Sequence, residues 1–318
     1  MMNPKVYISV LNWYNYKVTI DCIRSLLKMD YSNFEIIVVD NNSKNDSVKI
    51  IRNEFPTLHI IESKTNLGYA GGNKLASDLA LVNNVDLFWV LNNDTTVRIN
   101  TLTELVKSYN IHGDAIYSNL TLMSEDPDII HYSGSYLPNE ESVKKNTYDK
   151  LKGRLLSEVF EQLEDKEARI YGHSLLIPTT VIKNFGFMDT EFFMFCEEAD
   201  YFKTLEKYKV KTRFVKKAII LHESSGSFKK EGNIDNQLKL PLLYYSRRNQ
   251  YYFDMKWNNL KKSEIIRERG GWFNVAKFFL KTKFSSISKL EENYMINLAA
   301  IHAYKGVRGK TIDPSDFR

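Results

Sequence analysis

Short apolar runs punctuate the first hundred residues: VYISVL at 6–11, FEIIVVD at 34–40, LHIIES at 58–63 and LFWVLNND at 87–94. Each has the length and composition of a buried strand. Between the first two, Ile20, Ile23 and Leu27 recur at helical spacing; between the last two, Leu75, Leu79 and Val82 do much the same. These positions predict core-facing helices. Strands alternating with helices predict a βαβ series and an open, mostly parallel α/β sheet. Such sheets bind ligands outside the carboxyl ends of their strands, so the polar residues closing each run are the candidates for chemistry.

From about 100 to 170 the pattern weakens, and the charged stretch at 139–169 reads as a solvated helix, a loop, or both. Order resumes at IYGHSLLIP and continues through GFMDTEFFMFCEEADYF, with a strand predicted near 213–221. Beyond about 226 the pattern is helical and basic, and no internal repeat is visible.

Composition narrows the classes. The chain has 318 residues and 43% hydrophobic content, enough for a substantial core. Lys and Arg exceed Asp and Glu by 44 to 39, a net charge of +5 that is too small to predict a nucleic-acid partner. Two cysteines, Cys22 and Cys196, with no CxxC and no signal-like run, suit a reducing cytoplasm. No stretch approaches the ~20 apolar residues of a spanning helix. Membrane contact is therefore expected to be peripheral, at the inner face of the plasma membrane.

Asn12 and Tyr14 follow the first run, Asp40, Asn41, Asn42 and Ser43 the second, and Asn66, Gly68, Gly71, Gly72 and Asn73 the third. A carboxylate and amides there can bond a base or ribose, and glycines before a helix can admit a diphosphate. Ordinary turn chemistry explains any one such loop, whereas three on one sheet edge point to a nucleotide. A dinucleotide fingerprint is disfavoured, because LNWYNY follows the first run where GxGxxG belongs. No P-loop motif occurs. The fourth run ends on Asn92, Asn93 and Asp94, where Asp94 offers a hard oxygen to Mg²⁺ or Mn²⁺, or caps a turn.

Taken together, VLNWYN, IIVVDNNSKNDS, TNLGYAGGN and WVLNNDTTV resemble, in order and spacing, the nucleotide-sugar half of GT-A fold glycosyltransferases. They are most similar to family 2 of the inverting enzymes and its rhamnosyltransferase-like branch, over most of residues 4–225. The resemblance implies a Rossmann-like mixed, mostly parallel sheet flanked by helices, with a helical C-terminal extension. It divides the chain into a nucleotide-sugar-binding half (1–110), an acceptor-binding half (111–225) and a basic helical region (226–318). It places Asp40 on the nucleotide and Asn92, Asn93 and Asp94 at a D-x-D-like metal position, with Asn92 where many relatives carry Asp.

The segment GFMDTEFFMFCEEADYF resembles the family's acceptor side with its E-D-x-D-like motif, which implies Glu198 as general base and Glu197 or Asp200 as substitutes. An exposed charged helix face is the plainer alternative; wrapping by Phe192, Phe193, Phe195 and Tyr201 favours perturbed carboxylates. By the same resemblance His222 completes the metal or diphosphate site. Gly172, His173 and Ser174 line the acceptor pocket or are structural, and Cys196 reads as a small buried filler.

Arg247 and Arg248, amid tyrosines, resemble the family's Arg-Asn element, and both are expected to meet a diphosphate or an acidic acceptor, with surface ion pairing as the plainer alternative. Trp272, Val275, Ala276 and Phe279 share one helical face opposite Lys277 and Lys281. That segment suits an anionic membrane surface, a homodimer contact or internal packing. The implied function is transfer of a sugar from dTDP-rhamnose or a UDP-hexose to a hydroxyl of a surface glycan, free or lipid-linked. A catalytically silent nucleotide-sugar binder and a nucleotidyltransferase are the alternatives.

Overall fold

The computed structural model describes residues 3–134, 151–223, 229–230, 233–234, 238–268 and 287–317. The amphipathic face at Trp272, Val275, Ala276 and Phe279 lies outside the described residues. The strands are β1 (Val6–Asn12), β2 (Phe34–Asp40), β3 (His59–Glu62), β4 (Leu87–Asn92), β5 (Thr95–Val97), β6 (Ala115–Met123), β7 (Ile130–Tyr132), β8 (Lys166–Glu167), β9 (Ser174–Pro178) and β10 (Lys211–His222). They form one mixed sheet in the order β3-β2-β1-β4-β9-β6-β10-β5, with β7 on β6 and β8 on β10. A separate antiparallel pair joins Lys229–Lys230 to Asn233–Ile234.

The helices are α1 (Tyr16–Leu26), α2 (Ser47–Glu54), α3 (Gly68–Val82), α4 (Thr101–His112), α5 (Leu156–Val159), α6 (Thr179–Phe185), α7 (Glu197–Lys207), α8 (Lys239–Trp257), α9 (Lys262–Glu268) and α10 (Ile287–Lys305). The predicted βαβ series is present. β3, β2, β1 and β4 run parallel, because each crossover carries a helix back to the start of the next strand.

The chain divides into two compact units. The first comprises Met1–Thr65, Gly72–Phe187 and Leu205–Ser227, and contains the large sheet. On one face Val6, Ile8 and Val10 alternate into a core with Ile36, Val38, Leu87, Trp89 and Leu91, closed by Ile20, Ile23 and Leu26 of α1. Each fully buried aliphatic side chain of this kind contributes roughly 1.5–3 kcal/mol. A second cluster gathers Leu120, Leu122, Tyr132, Val159 and Phe214.

Three expectations change. Leu27 and Val82, predicted on core-facing helix stripes, are 55% and 77% exposed. β3 is not buried: it ends the sheet order, and His59 and Glu62 are exposed, as suits an edge strand. β6, with eight of its nine residues buried, runs through the region where the sequence pattern is weak. Its Ser118, Asn119 and Thr121 are polar yet fully buried, which removes the apolar signal a central strand normally gives.

The second unit comprises Asn66–Gly71, Met188–Thr204 and Phe228–Arg318. Within it α10 packs along α8, where Ala299, Ala300 and Ala303 permit a close approach to Tyr244, Tyr245 and Tyr252. Among the described residues no helix is long and apolar enough to cross a membrane.

Candidate active site

β1 pairs in register with β2 and β4, Asn12 opposite Asp40 and Leu11 opposite Asn92. Their carboxyl ends therefore lie side by side. Asn12 donates its amide to Asp40 Oδ1 at 2.7 Å and to Ser43 Oγ at 3.3 Å, and accepts from Thr19 Oγ1 at 2.7 Å. The Ser43 N–H closes on Asp40 Oδ2 at 2.9 Å, and Asn93 donates to the Thr19 hydroxyl at 2.8 Å. Asn12, Thr19, Asp40 and Asn93 are all buried. Asn12 thus orients the Asp40 carboxylate, and Thr19, absent from the sequence-based candidates, ties the ends of β1 and β4 together. A threonine on the buried face of α1 was the available signal.

Strain marks the same loops. Tyr14 and Asn42 have φ of 62° and 63°. The Asn15 N–H returns to Trp13 O at 2.8 Å, closing a γ-turn on Tyr14, and Ser43 Oγ accepts the Tyr14 N–H at 2.8 Å. Sparsely populated backbone of this kind collects at functional sites.

In the third loop, Asn66 Oδ1 accepts the Gly68 N–H at 2.9 Å, and Asn73 Oδ1 accepts the Ser9 hydroxyl at 2.8 Å. Gly68 has φ +73°, and a Cβ there would stand 1.9 Å from Phe193 O. A Cβ on Gly72 would stand 2.4 Å from Leu11 Cδ1. Close approach of backbone already accounts for Gly68, whereas the neighbour of Gly72 is the end of a movable side chain.

After β4 the chain reverses through Asn93 and Asp94 into β5, which pairs antiparallel with β10, Thr95 opposite His222. Asn92 remains half-buried, its N–H on His173 O at 2.9 Å. This pairing brings Asp94 Oδ1 within 3.2 Å of His222 Nε2 across 128 residues. Both side chains are largely buried, at 6% and 11% exposure. The His222 ring lies between two others: its centroid is 4.9 Å from that of His173, at 12°, and 5.5 Å from that of His131, at 17°. Thr121 Oγ1 is 2.7 Å from His173 Nε2. Burial, then the neighbouring His222 and His131, holds the His173 pKa well below its ordinary value.

His222 Nδ1 has no hydrogen-bond partner among the described residues. A carboxylate oxygen and an imidazole nitrogen fit a divalent ion, the imidazole favouring Mn²⁺ over the harder Mg²⁺. Among the described residues no group of three or more His, Cys, Asp and Glu side chains is placed to hold such an ion alone. Sequence reasoning omitted His131, whose role depends on a ring stack that no local pattern announces.

The first turn of α7 carries Glu197, Glu198 and Asp200. Two of the three are buried rather than forming an exposed face. Burial and the adjacent Glu198 raise the Glu197 pKa well above the ordinary carboxylate value, and its Oε2 has no hydrogen-bond partner among the described residues. Asp200 is held by Lys256 Nζ at 2.7 Å and by the Trp257 indole at 2.8 Å. Glu198 is the half-exposed carboxylate. Burial, then Glu198 and Glu197, pushes the Cys196 thiol up to about 12, so it stays protonated at neutral pH. On α8, Arg247 is exposed whereas Arg248 is fully buried.

Residues 6–159 match the family model described as Glycosyl transferase family 2. The chain is 28% identical over 194 residues to the low-salt glycan biosynthesis hexosyltransferase Agl10 of Haloferax volcanii. That alignment covers 59% of this chain and 58% of the relative, so the chain spans under two thirds of its length. Mannosyltransferase PcManGT from Pyrobaculum calidifontis, solved in complex with GDP-Man and Mn²⁺, superposes with a TM-score of 0.52 at 11% identity, over 99% of this chain and 79% of that one. That likeness concerns the fold. A mixed α/β sheet flanked by helices, the family match over the strand-end loops, and this superposition lead to one conclusion: the chain has the GT-A glycosyltransferase fold, and its residues 6–159 are similar to glycosyl transferase family 2.

Proposed function

We propose that this protein is an inverting glycosyltransferase, moving one sugar from a nucleotide diphosphate to a hydroxyl of a surface glycan, free or lipid-linked. The observation that carries the reading is the Asp94–His222 pair, assembled from residues 128 apart at the strand that ends beside the Asn12–Asp40 network. Asp40, oriented by Asn12 and Ser43, bonds the nucleoside, with Tyr14, Asn42 and Asn73 in the same unit; Asn66 and Arg247 are assigned to the donor by the family resemblance alone. Asp94 and His222 are the residues that would hold a divalent ion. When bound, such an ion offsets the charge that builds on the departing diphosphate.

Glu198 is the base. It is half-exposed, whereas Glu197 is held toward its neutral form and Asp200 is engaged by Lys256 and Trp257. It takes the proton of the acceptor hydroxyl as that oxygen bonds to the anomeric carbon. The bond from this carbon to the diphosphate oxygen breaks, its electron pair leaving with the nucleoside diphosphate. Attack opposite the leaving group inverts the configuration. The relative's description as a hexosyltransferase, and the GDP-Man of the solved mannosyltransferase, favour a hexose donor over a rhamnosyl one.

Thermal melts with UDP, GDP and dTDP, each with and without MnCl₂, test the donor side. A ligand that binds the native state alone raises Tm, and one nucleotide is expected to do so in the presence of Mn²⁺. Glu198→Gln is expected to keep that rise while turnover falls by at least ~100-fold. A flat response to all three nucleotides, or a product of retained anomeric configuration, overturns the reading.

A further inference from the structure

The loop leading into α7 is held in an unfavourable backbone conformation. Phe193, Phe195 and Cys196 have φ of 65°, 68° and 68°. With Phe193 at ψ −57° and the Met194 N–H on Phe192 O at 2.8 Å, Phe193 centres a γ-turn of the strained hand. None of these residues is Gly or Asn, the types that tolerate this region. Such strain persists only where the surroundings over-determine it.

Asn249, fully buried on α8, supplies much of that constraint. Its Nδ2 stands 2.7 Å from Phe192 O, 2.6 Å from Met194 O and 3.1 Å from Phe195 O. One amide with two hydrogens thus serves three carbonyls of a four-residue span. Arg248 Nε donates to Asn249 Oδ1 at 2.9 Å, which fixes the amide's orientation. The same guanidinium reaches Phe192 O at 3.3 Å, Gly309 O at 2.8 Å and Thr311 Oγ1 at 3.1 Å, and lies 4.9 Å from the Tyr245 ring centroid. These partners are carbonyls, a hydroxyl and an aromatic face. A buried cation satisfied this way is a costly means of filling space, for which Met or Leu would serve as well. From the other side, the Tyr69 N–H bonds Phe193 O at 2.8 Å, which the missing Cβ of Gly68 permits. Cys196 follows this span, and Glu197 and Glu198 come directly after it.

We infer that Asn249, oriented by Arg248, is a positioning residue for the acidic first turn of α7. It acts through the 192–195 backbone and touches neither donor nor metal. The inference rests on the reading that this turn holds the base. It gives the Arg-Asn pair an architectural duty, distinct from the phosphate contact assigned to Arg247.

The test uses the full chain and whichever of UDP-glucose, GDP-mannose or dTDP-rhamnose it turns over with Mn²⁺. Asn249→Asp is nearly isosteric but removes both donors and sets a charge against three carbonyls; Asn249→Ser keeps one donor. A displacement near 1 Å at a reacting group costs on the order of 100-fold, so kcat is expected to fall ~100-fold in Asn249→Asp and ~10-fold in Asn249→Ser. Donor KM is expected to stay within about threefold, since the effect falls on positioning rather than binding. Amide exchange across 193–200 is expected to quicken.

Glu198→Gln is measured beside them. If it retains native kcat while Asn249→Asp loses it, the base assignment fails and the positioning role stands, serving another group of the turn. Native kcat in both Asn249 variants, or equal losses in kcat and donor affinity, overturns the inference. Failure of both variants to fold overturns it too, because Asn249 would then determine folding rather than where the carboxylates sit.

Discussion

Gly68→Ala isolates a close approach that the structure makes explicit. Gly68 has φ +73°, and its Cβ would lie 1.9 Å from Phe193 O. Gly306 has φ +79° with nothing within 4 Å, and it ends α10 with its own N–H on Ala303 O at 3.1 Å and the Val307 N–H on His302 O at 2.9 Å. At both positions alanine incurs the left-handed penalty of about 1–2 kcal/mol. Only at Gly68 does it also collide. An ordinary contact is ~3.5 Å, so the Phe193 carbonyl must withdraw by roughly 1.5 Å.

That withdrawal breaks the 2.8 Å bond from the Tyr69 N–H. Leaving the carbonyl of the buried Phe193 without that bond costs about 1–3 kcal/mol. Gly68→Ala is therefore expected to lose ~2–5 kcal/mol against ~1–2 kcal/mol for Gly306→Ala. Guanidinium unfolding of the two variants beside the native chain, compared by midpoint at constant m, reads the difference. Equal losses would refute the close approach and remove one wall of the strained loop.

Three further outcomes are expected. Asp94→Asn and His222→Phe should each weaken Mn²⁺ binding at least about tenfold, ~1.4 kcal/mol, in an EPR titration; unchanged affinity would dissolve the proposed pair. The raised Glu197 pKa carries a defined sign: the folded state keeps the proton while the unfolded chain releases it above about pH 4.5, so stability is lost as pH rises toward the folded value. Glu197→Gln should accordingly melt higher than the native chain at pH 8 and show no such advantage at pH 4, and a pH-independent difference would contradict this. Thr19→Val removes the hydroxyl joining Asn12 to Asn93; a loss of about 1–3 kcal/mol and weaker nucleotide binding are expected, and a neutral effect on both melting and nucleotide affinity would refute the network.

The sequence by itself determined the elements whose signal is local. β1, β2, β4 and α1 announce themselves by apolar runs and by Ile20 and Ile23 at helical spacing, because burial on one face imposes a period that a short window can detect. The same logic placed Asp40 and Asp94 at strand ends. It failed at β6, where Ser118, Asn119 and Thr121 are buried with their polar groups intact, and at β3, whose apolar residues sit on a sheet edge. The family resemblance put Asp94 and His222 at one site, and tertiary structure decided the contacts that join them. The β5–β10 pairing joins Asp94 to His222, and His131 and His173 sandwich that ring. Of two adjacent arginines, it buried Arg248 and left Arg247 exposed. Such contacts depend on strand order and register over more than a hundred residues, and periodicity, which records only the face a residue presents, holds no information about its partner across the sheet.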